Sequence, residues 1–261
     1  MILVDLHCHI LPGVDDGAKT LADSIALARV AVSQGIKYVL VTPHHMNGIY
    51  MNHPKDVRQL TNKLQKALNQ ANVPLKLFPG QEVHLTGDLL TAIDREDILF
   101  ADANHHYLML ELPHDSVPDY TVKMVDELLA REIVPVIVHP ERNRGLLENP
   151  DQLYELVSLG CLTQLTASSF VGVFGKKIQR FTEKIVRANL GFVFASDAHN
   201  LRGRNYKMTE AFKKLKQFGG KLAAKYQENA VRIINGESIF SPDIYRIRQQ
   251  KKFWFFKKPI L

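Results

Sequence analysis

Seven short apolar segments recur along this chain, and helical patterns separate them. The segments cover residues 2–7, 37–42, 75–80, 107–112, 134–139, 162–167 and 191–196. Near-continuous hydrophobic strands that alternate with helices are typical of a parallel sheet covered by helices. The chain is therefore predicted to be an α/β protein.

The segments between these strands carry helix signals. Thr20 to Asp23 resembles a capping box, the apolar positions that follow recur at helical spacing, and Gly35 ends the segment. The other predicted helices cover residues 54–71, 119–131, 151–159, 176–188, 208–218 and 221–234. No linker interrupts this pattern, so we expect one domain over residues 1–243, followed by a tail over residues 244–261.

A closed barrel and an open doubly wound sheet both fit this alternation. The positions of the ionisable residues favour the barrel, because six of the seven strands bring histidines or carboxylates to their C-terminal ends. In a barrel those ends converge on one rim. We therefore predict a distorted, TIM-like (β/α)7 barrel with its functional site at the C-terminal ends of the strands.

Nine candidate ligands follow this strand-end rule. They are His7, His9, Asp16, His44, Glu82, Glu111, His139, Asp197 and His199. So many partly buried ionisable groups would repel or desolvate one another unless cations compensated them. Imidazoles and carboxylates without a thiolate favour Mn²⁺, Fe²⁺ or Zn²⁺. We expect two or three divalent ions, with Glu82 as a bridge.

Clustered divalent ions are typical of enzymes that hydrolyse phosphate esters. Arg142 follows His139 closely, and Arg202 and Arg204 follow the segment that contains Asp197, so these guanidinium groups are candidates for gripping a phosphate. We count Asp16 and His44 as candidate catalytic residues together with Arg142 and Arg204.

Two further histidines lie close in sequence to candidate ligands: His45 follows His44 directly, and His84 is two residues after Glu82. Neither fits the strand-end rule itself. Residues beside a metal ligand often orient it through hydrogen bonds. Both are therefore candidates for a supporting role.

Several other function classes are excluded or disfavoured. The chain has no glycine-rich nucleotide loop of either common form, and neither Cys8 nor Cys161 is followed six residues later by the arginine of a cysteine phosphatase. The net charge of +6 resides in the basic residues after Asp243, which argues against a nucleic-acid-binding body. With two cysteines, no leader pattern and no apolar run of about 20 residues, we expect a cytoplasmic protein.

The motifs HCH, GVDDG, TPHH, GQEVH, LELP, HPERNR and ASDAHN occur in this order. Together they resemble the polymerase-and-histidinol-phosphatase (PHP) superfamily, and within it the bacterial protein-tyrosine phosphatases of capsule and exopolysaccharide loci. The resemblance implies a distorted (β/α)7 barrel with three metal ions, often manganese, and assigns Arg142 and Arg204 to the phosphate. The implied ligand sets are His7, His9, Glu82 and Asp197 for one ion, Glu82, Glu111 and His139 for a second, and Asp16, His44 and His199 for a third.

The same resemblance implies a substrate and a partner. The substrate is phosphotyrosine in the C-terminal cluster of a cognate, membrane-associated bacterial tyrosine kinase, and dephosphorylation would regulate capsule or exopolysaccharide synthesis. Two alternatives stay open at this point. One is a PHP phosphoesterase that acts on a small molecule such as histidinol phosphate, and the other is a catalytically silent scaffold that binds the kinase.

The tail ends in KKFWFFKKPIL, which places four consecutive aromatic residues between lysine pairs. Such a segment suits a membrane interface with anionic lipid or a groove on a partner. We therefore expect weak peripheral contact with the membrane or the kinase, with docking of the tail onto its own barrel as the alternative.

Overall fold

All nine strands in the part of the chain that the computed structural model describes, residues 3–248, run parallel to their neighbours. The strands are β1 (Leu3–Cys8), β2 (Ile36–Val41), β3 (His44–His45), β4 (Lys76–Pro79), β5 (Glu82–His84), β6 (Tyr107–Glu111), β7 (Val134–Val138), β8 (Leu162–Thr166) and β9 (Val193–Ala195). The seven predicted strands are confirmed. The short strands β3 and β5 are additional, and each continues the path of the strand before it.

The strands form a ring that is irregular at two places. The order β1-β2-β4 makes one sheet and β3-β5-β6-β7-β8-β9 makes the other. The two sheets are continuous where β2 and β4 lead into β3 and β5. There the amide of Gly80 donates to the carbonyl of Val41, and the amide of Glu82 donates to the carbonyl of Pro43. On the other side, Cys8 at the end of β1 pairs in parallel with Ala198 just after β9. The predicted distorted barrel is confirmed.

Helices connect the strands on the outside of the ring. They are α1 (Leu21–Ser33), α2 (Pro54–Gln70), α3 (Leu89–Asp94), α4 (Thr121–Ala130), α5 (Arg144–Glu148), α6 (Asp151–Leu159), α7 (Ala167–Phe170), α8 (Lys176–Arg187), α9 (Met208–Leu215) and α10 (Leu222–Asn235). The seven predicted helices are present. The sequence did not predict α3, α5 and α7, because helices of six, five and four residues are too short to show a helical period.

The core lies inside the ring and between the ring and the helices. Strand β1 is buried along its whole length, and so is β8, as expected for strands covered on both faces. Helix α2 buries Val57, Thr61, Leu64 and Leu68, which recur at intervals of three or four residues. The predicted capping box of α1 is present, since Thr20 accepts from the amide of Asp23 and Asp23 accepts from the amide of Thr20. The barrel is thus a packed scaffold that fixes the strand ends.

The chain after α10 returns along the barrel as far as the structure describes it. Tyr245 donates a backbone hydrogen bond to Ala188, and the side chain of Ile247 is buried. Arg246 pairs with Asp151 at 3.1 Å and stacks over the ring of Tyr154. The aromatic segment 251–261 lies outside the described residues, so its role and the domain boundary at 243 remain predictions. Within residues 3–248, no helix has the length and apolar character to cross a bilayer.

Candidate metal centre

The C-terminal ends of the strands bring all nine predicted side chains into one cluster. The cluster contains four overlapping groups of residues. Within each group, every residue has one donor atom that lies within 4.8 Å of the donor atoms of the other members. The groups are His9, Asp16, His44 and His199; His7, Glu82 and His139; His7, His9 and Asp197; and His44, Glu82 and Glu111. The strand-end rule therefore selects residues that are neighbours in space.

Glu82, the first residue of β5, lies at the centre of the cluster and is fully buried. Its Oε2 atom lies 2.9 Å from Nδ1 of His44 and 3.2 Å from Nε2 of both His7 and His9. Its Oε1 atom lies 2.6 Å from Nε2 of His139. One carboxylate thus faces four imidazoles, which is the arrangement expected of a residue that bridges two cations.

The geometric groups overlap the ligand sets implied by the resemblance, but they do not separate in the same way. His9 lies with His7 and Asp197 and also with the group around Asp16. Glu111 approaches His139 at 3.8 Å and His44 at 3.9 Å, so its position does not choose between two ions. The division of the nine side chains among ions therefore remains a prediction.

The donor atoms fit divalent cations because several of them have no hydrogen-bond partner in the described structure. Nδ1 of His44, Oε2 of Glu82 and Nε2 of His199 are buried atoms of this kind. The first two lie only 2.9 Å apart, yet they are not aligned as donor and acceptor. Buried polar atoms rarely lack partners. Carboxylate oxygens and imidazole nitrogens without another partner are donors that a divalent cation can use.

Among the protein groups alone, burial opposes the charged form of each side chain, whereas neighbouring opposite charges favour that form. For His44, burial is outweighed by the carboxylates of Glu82 and Asp16, which raise its pKa to about 10. For Glu82, burial is outweighed by His7 and His44, which hold the pKa of the carboxyl well below its usual range. Burial lowers the pKa of His199 to about 4. The neighbouring imidazoles therefore favour the ionised form of the Glu82 carboxylate.

A second layer of residues orients the imidazoles. Nδ1 of His9 lies 2.7 Å from Oδ2 of Asp15, and Nδ1 of His7 lies 2.8 Å from Oε1 of Gln164. Such contacts leave the opposite ring nitrogen free to bind a metal and fix its direction. The sequence reasoning missed both partners. Asp15 is adjacent to Asp16, and Gln164 is a polar residue in the buried strand β8, which was the available signal.

Backbone strain is present at two of the predicted ligands. His139 follows β7 with φ of 35°, and Asp197 follows β9 with φ of 49°. Residues with a Cβ atom adopt such positive φ values at an energetic cost of about 1–3 kcal/mol, and they concentrate at functional sites. The fold therefore accepts local strain to aim these two side chains into the cluster.

Two arginines lie at the open side of the cluster. Nη2 of Arg142 lies 2.5 Å from Oδ2 of Asp197, and burial is outweighed by that carboxylate, which raises the pKa of the guanidinium. Arg204 reaches Asp16 at 3.0 Å and Asp197 at 3.3 Å. Both arginines line a cavity of about 490 Å³ together with His44, Glu111 and His139. The predicted phosphate-gripping residues thus border the predicted metal ligands.

The two histidines close in sequence to candidate ligands behave differently. Nδ1 of His84 lies 3.0 Å from Glu111, so this side chain contacts the cluster as the sequence suggested. His45 instead contacts Asp97 at 3.8 Å and the ring of His53. The expectation of a supporting role therefore holds for His84, which is two residues from Glu82 and points to the same face of the strand. It is wrong for His45, which directly follows His44 and points to the opposite face.

Known proteins resemble this chain over almost its whole length. The family model described as capsular polysaccharide synthesis, CpsB/CapC, matches residues 3–240. The tyrosine-protein phosphatase YwqE of Bacillus subtilis is 41% identical over 255 residues, which cover 97% of this chain and 100% of the relative. The putative tyrosine-protein phosphatase CapC of Staphylococcus aureus is 34% identical, with 97% and 99% of the two chains covered.

Solved structures agree with the described fold. One belongs to a set comprising YwqE from Bacillus subtilis and CpsB from Streptococcus pneumoniae, described as unique metal-dependent tyrosine phosphatases. It is 40% identical, covers 95% of this chain and 100% of its own, and has a TM-score of 0.91. An organophosphorus hydrolase from Deinococcus radiodurans is 11% identical with a TM-score of 0.56, covers 89% and 93% of the two chains, and shows the fold alone. The chain belongs to the CpsB/CapC family of capsular polysaccharide synthesis proteins.

Proposed function

We propose that this protein is a metal-dependent protein-tyrosine phosphatase, a phosphoric monoester hydrolase that removes phosphate from phosphotyrosine. The observation that carries the proposal is the meeting of nine metal-binding side chains with Arg142 and Arg204 at one cavity. Relatives that bear the name tyrosine-protein phosphatase support this choice of substrate.

The nine side chains are proposed to hold two or three divalent ions, with Mn²⁺ first and Fe or Zn as alternatives. Carboxylates and imidazoles without a thiolate support a metal of this class. When bound, such ions polarise phosphoryl oxygens and lower the pKa of water, which are the two requirements for hydrolysis of a phosphate ester. Glu82 is the proposed bridge because its two oxygens face different imidazoles.

The arginines are proposed to bind and orient the phosphate. A guanidinium group matches two phosphate oxygens at once and keeps its charge at every relevant pH. Arg142 is held in place by Asp197, whereas Arg204 is more exposed and contacts Asp16. Asp16 also lies 3.4 Å from His44. Asp16 and His44, the other two proposed catalytic residues, therefore lie next to Arg204 and the proposed phosphate site.

The acidity of the leaving group is compatible with an aryl phosphate ester as the substrate. The phenol of tyrosine has a pKa near 10, far below that of an alcohol, so its oxygen departs with little need for protonation. A site composed of cations, carboxylates and arginines therefore suffices for phosphotyrosine.

We further propose that the substrate is the C-terminal tyrosine cluster of a membrane-associated bacterial tyrosine kinase and that the reaction regulates capsule or exopolysaccharide synthesis. The family description, capsular polysaccharide synthesis, supports the proposed link to capsule formation. The protein would act in the cytoplasm, with the aromatic segment 251–261 contacting the inner face of the membrane or the kinase. Removing residues 251–261 should weaken binding to anionic liposomes or to the kinase, and unchanged binding to both would contradict the role of the segment.

The decisive experiment compares three phosphate esters with the Mn²⁺-loaded protein. Phosphate release from a phosphotyrosyl peptide should exceed release from a phosphoseryl peptide and from histidinol phosphate, and a chelator should abolish it. Preference for histidinol phosphate would identify a small-molecule phosphoesterase instead. A metal-loaded protein that binds the kinase and releases phosphate from none of the three would be a catalytically silent scaffold.

A further inference from the structure

The residues that line the cavity beside the metal cluster fall into two chemical classes. The polar wall consists of His44, Glu111, His139 and the two arginines, with His114 and Asn143. The apolar wall consists of Leu112, Val138, Pro140, Phe174 and Ile178, and Phe174 lies beside Arg142. A volume of about 490 Å³ is within the range of sites that enclose a small ligand, which is about 300–1,000 Å³. The polar wall accounts for a phosphate and leaves the apolar wall without an assigned role.

Phe174 is held at this wall by a turn that requires glycine at two positions. The sequence Gly172-Val173-Phe174-Gly175 joins α7 to α8, and the amide of Gly175 donates to the carbonyl of Gly172. Gly172 has φ of 93° and Gly175 has φ of 90°, values that side chains with a Cβ atom rarely adopt. This turn carries Phe174, which lines the cavity.

Neither Phe174 nor Ile178 contributes to the hydrophobic core that residues 3–248 form. Both side chains are partly exposed and line the cavity instead. The described structure gives Phe174 one specific contact, the guanidinium of Arg142, whose Cζ atom lies 5.5 Å from the ring centre. A partly exposed aromatic ring beside a phosphate-binding arginine presents apolar surface to a ligand.

We propose that Phe174 and Ile178 form an aryl wall that receives the ring of an aryl phosphate while the phosphate reaches Arg142 and the metal cluster. This inference rests on the proposed phosphatase function and specifies how the site selects an aromatic ester. A phosphorylated serine or threonine side chain has no ring to cover Phe174 and Ile178. The aryl wall thus adds discrimination on the binding side to the preference that the leaving group provides.

The experiment measures binding of two phosphonates to the Mn²⁺-loaded protein by calorimetry, so it does not depend on turnover. Phenylphosphonate carries the ring and methylphosphonate does not. Wild-type protein should bind phenylphosphonate about tenfold more tightly, the effect expected for partial burial of one aromatic ring. Phe174→Ala should reduce this ratio to about threefold or less while the Kd of methylphosphonate changes by no more than about twofold, and Phe174→Leu should retain part of the preference.

Two comparisons test whether the preference arises at the aryl wall. Phe240→Ala removes a highly exposed phenylalanine outside this cavity and should leave both affinities unchanged. If Phe174→Ala weakens both phosphonates equally, Phe174 only positions Arg142, and the proposal is overturned. An unchanged ratio in Phe174→Ala and Ile178→Ala, or no preference in the wild type, overturns it as well. Failure of the proposed function appears separately, as a wild type that binds phenylphosphonate selectively and does not hydrolyse phosphotyrosyl peptides.

Discussion

Arg142 and the buried Asp197 form an ion pair that joins the proposed phosphate site to the metal cluster. Nη2 of Arg142 lies 2.5 Å from Oδ2 of Asp197, and Oδ1 of the same carboxylate lies 3.5 Å from His7 and 3.4 Å from His9. One carboxylate therefore contacts an arginine through one oxygen and two imidazoles through the other. The arginine is positioned by the same residue that is proposed to bind a metal.

Replacing Arg142 by alanine should lower kcat/KM for a phosphotyrosyl peptide by about 10²–10³-fold, since one charged donor to the transition state is lost. The metal content of the purified protein should remain close to that of the wild type, because the imidazoles and carboxylates stay in place. Arg142→Lys keeps the charge without the planar fork and should recover part of the loss. Loss of an ion in Arg142→Ala would show that the arginine maintains the cluster itself.

Replacing Glu82 by glutamine should remove both metal and activity. The amide cannot act as a negatively charged bridge between the imidazoles that surround it. Elemental analysis should show at least one ion fewer per chain than in the wild type, and phosphatase activity should fall to background. Glu155→Gln, at an exposed position of α6, is the matched control and should change neither value. A fully loaded Glu82→Gln protein would exclude the bridging role.

Metal binding should release protons near neutral pH. For both His9 and His44, burial opposes protonation, but nearby carboxylates outweigh it and raise the pKa, to about 10 for His44. A raised pKa means that the imidazole holds its proton at pH 7, and a metal must displace it. We expect release of about two protons per chain and tighter metal binding as pH rises from 6 to 8.

Calorimetric titration of Mn²⁺ in two buffers that differ in ionisation enthalpy measures this release. The apparent binding enthalpies should differ in proportion to the number of protons transferred to the buffer. Identical enthalpies in the two buffers would mean that neither imidazole is protonated before binding. Activity should follow the same direction and decline below neutral pH as protons compete with the metal.

Replacing Gly17 by alanine should destabilise the protein and weaken metal binding. A Cβ atom at Gly17 would overlap the backbone oxygen of His9 and lie 2.6 Å from its Cβ atom, so the loop cannot keep its path. We expect a loss of roughly 1–3 kcal/mol in the free energy of unfolding. Gly87→Ala is the matched control, because nothing lies within 4 Å of the added atom. Urea denaturation and Mn²⁺ affinity of both variants test this, and equal stabilities would contradict it.

The strand-end rule succeeded for residues whose position follows from the backbone direction alone. His7, His139 and Asp197 end or follow strands that the sequence marks by continuous apolar residues, and a barrel gathers such ends at one rim. Arg142 and Arg204, which follow such ligands in the sequence, also line the cavity. These predictions needed no knowledge of which side chains touch.

The rule did not extend to contacts that depend on how loops return. It gave no reason to separate Asp15, which orients His9, from Asp16, which lies beside His199. It also missed Gln164, since hydrogen-bond pairing across the barrel joins residues 157 positions apart. Phe174 had no signal of its own, because a single aromatic residue between two glycines fits a loop or a core equally well.

The amino-acid sequence by itself determined the alternation of strands and helices, the nine ionisable side chains at six strand ends and the family to which the chain belongs. Those features are local, because they depend on hydrophobic periodicity and on short motifs that a linear pattern contains. Only the tertiary structure decided which oxygen of Glu82 faces which imidazole. It also decided that Asp197 contacts Arg142 as well as imidazoles of the cluster, and that Phe174 borders the cavity. These relationships depend on distances of a few ångströms between residues far apart in the chain. Such distances are set only when the barrel packs.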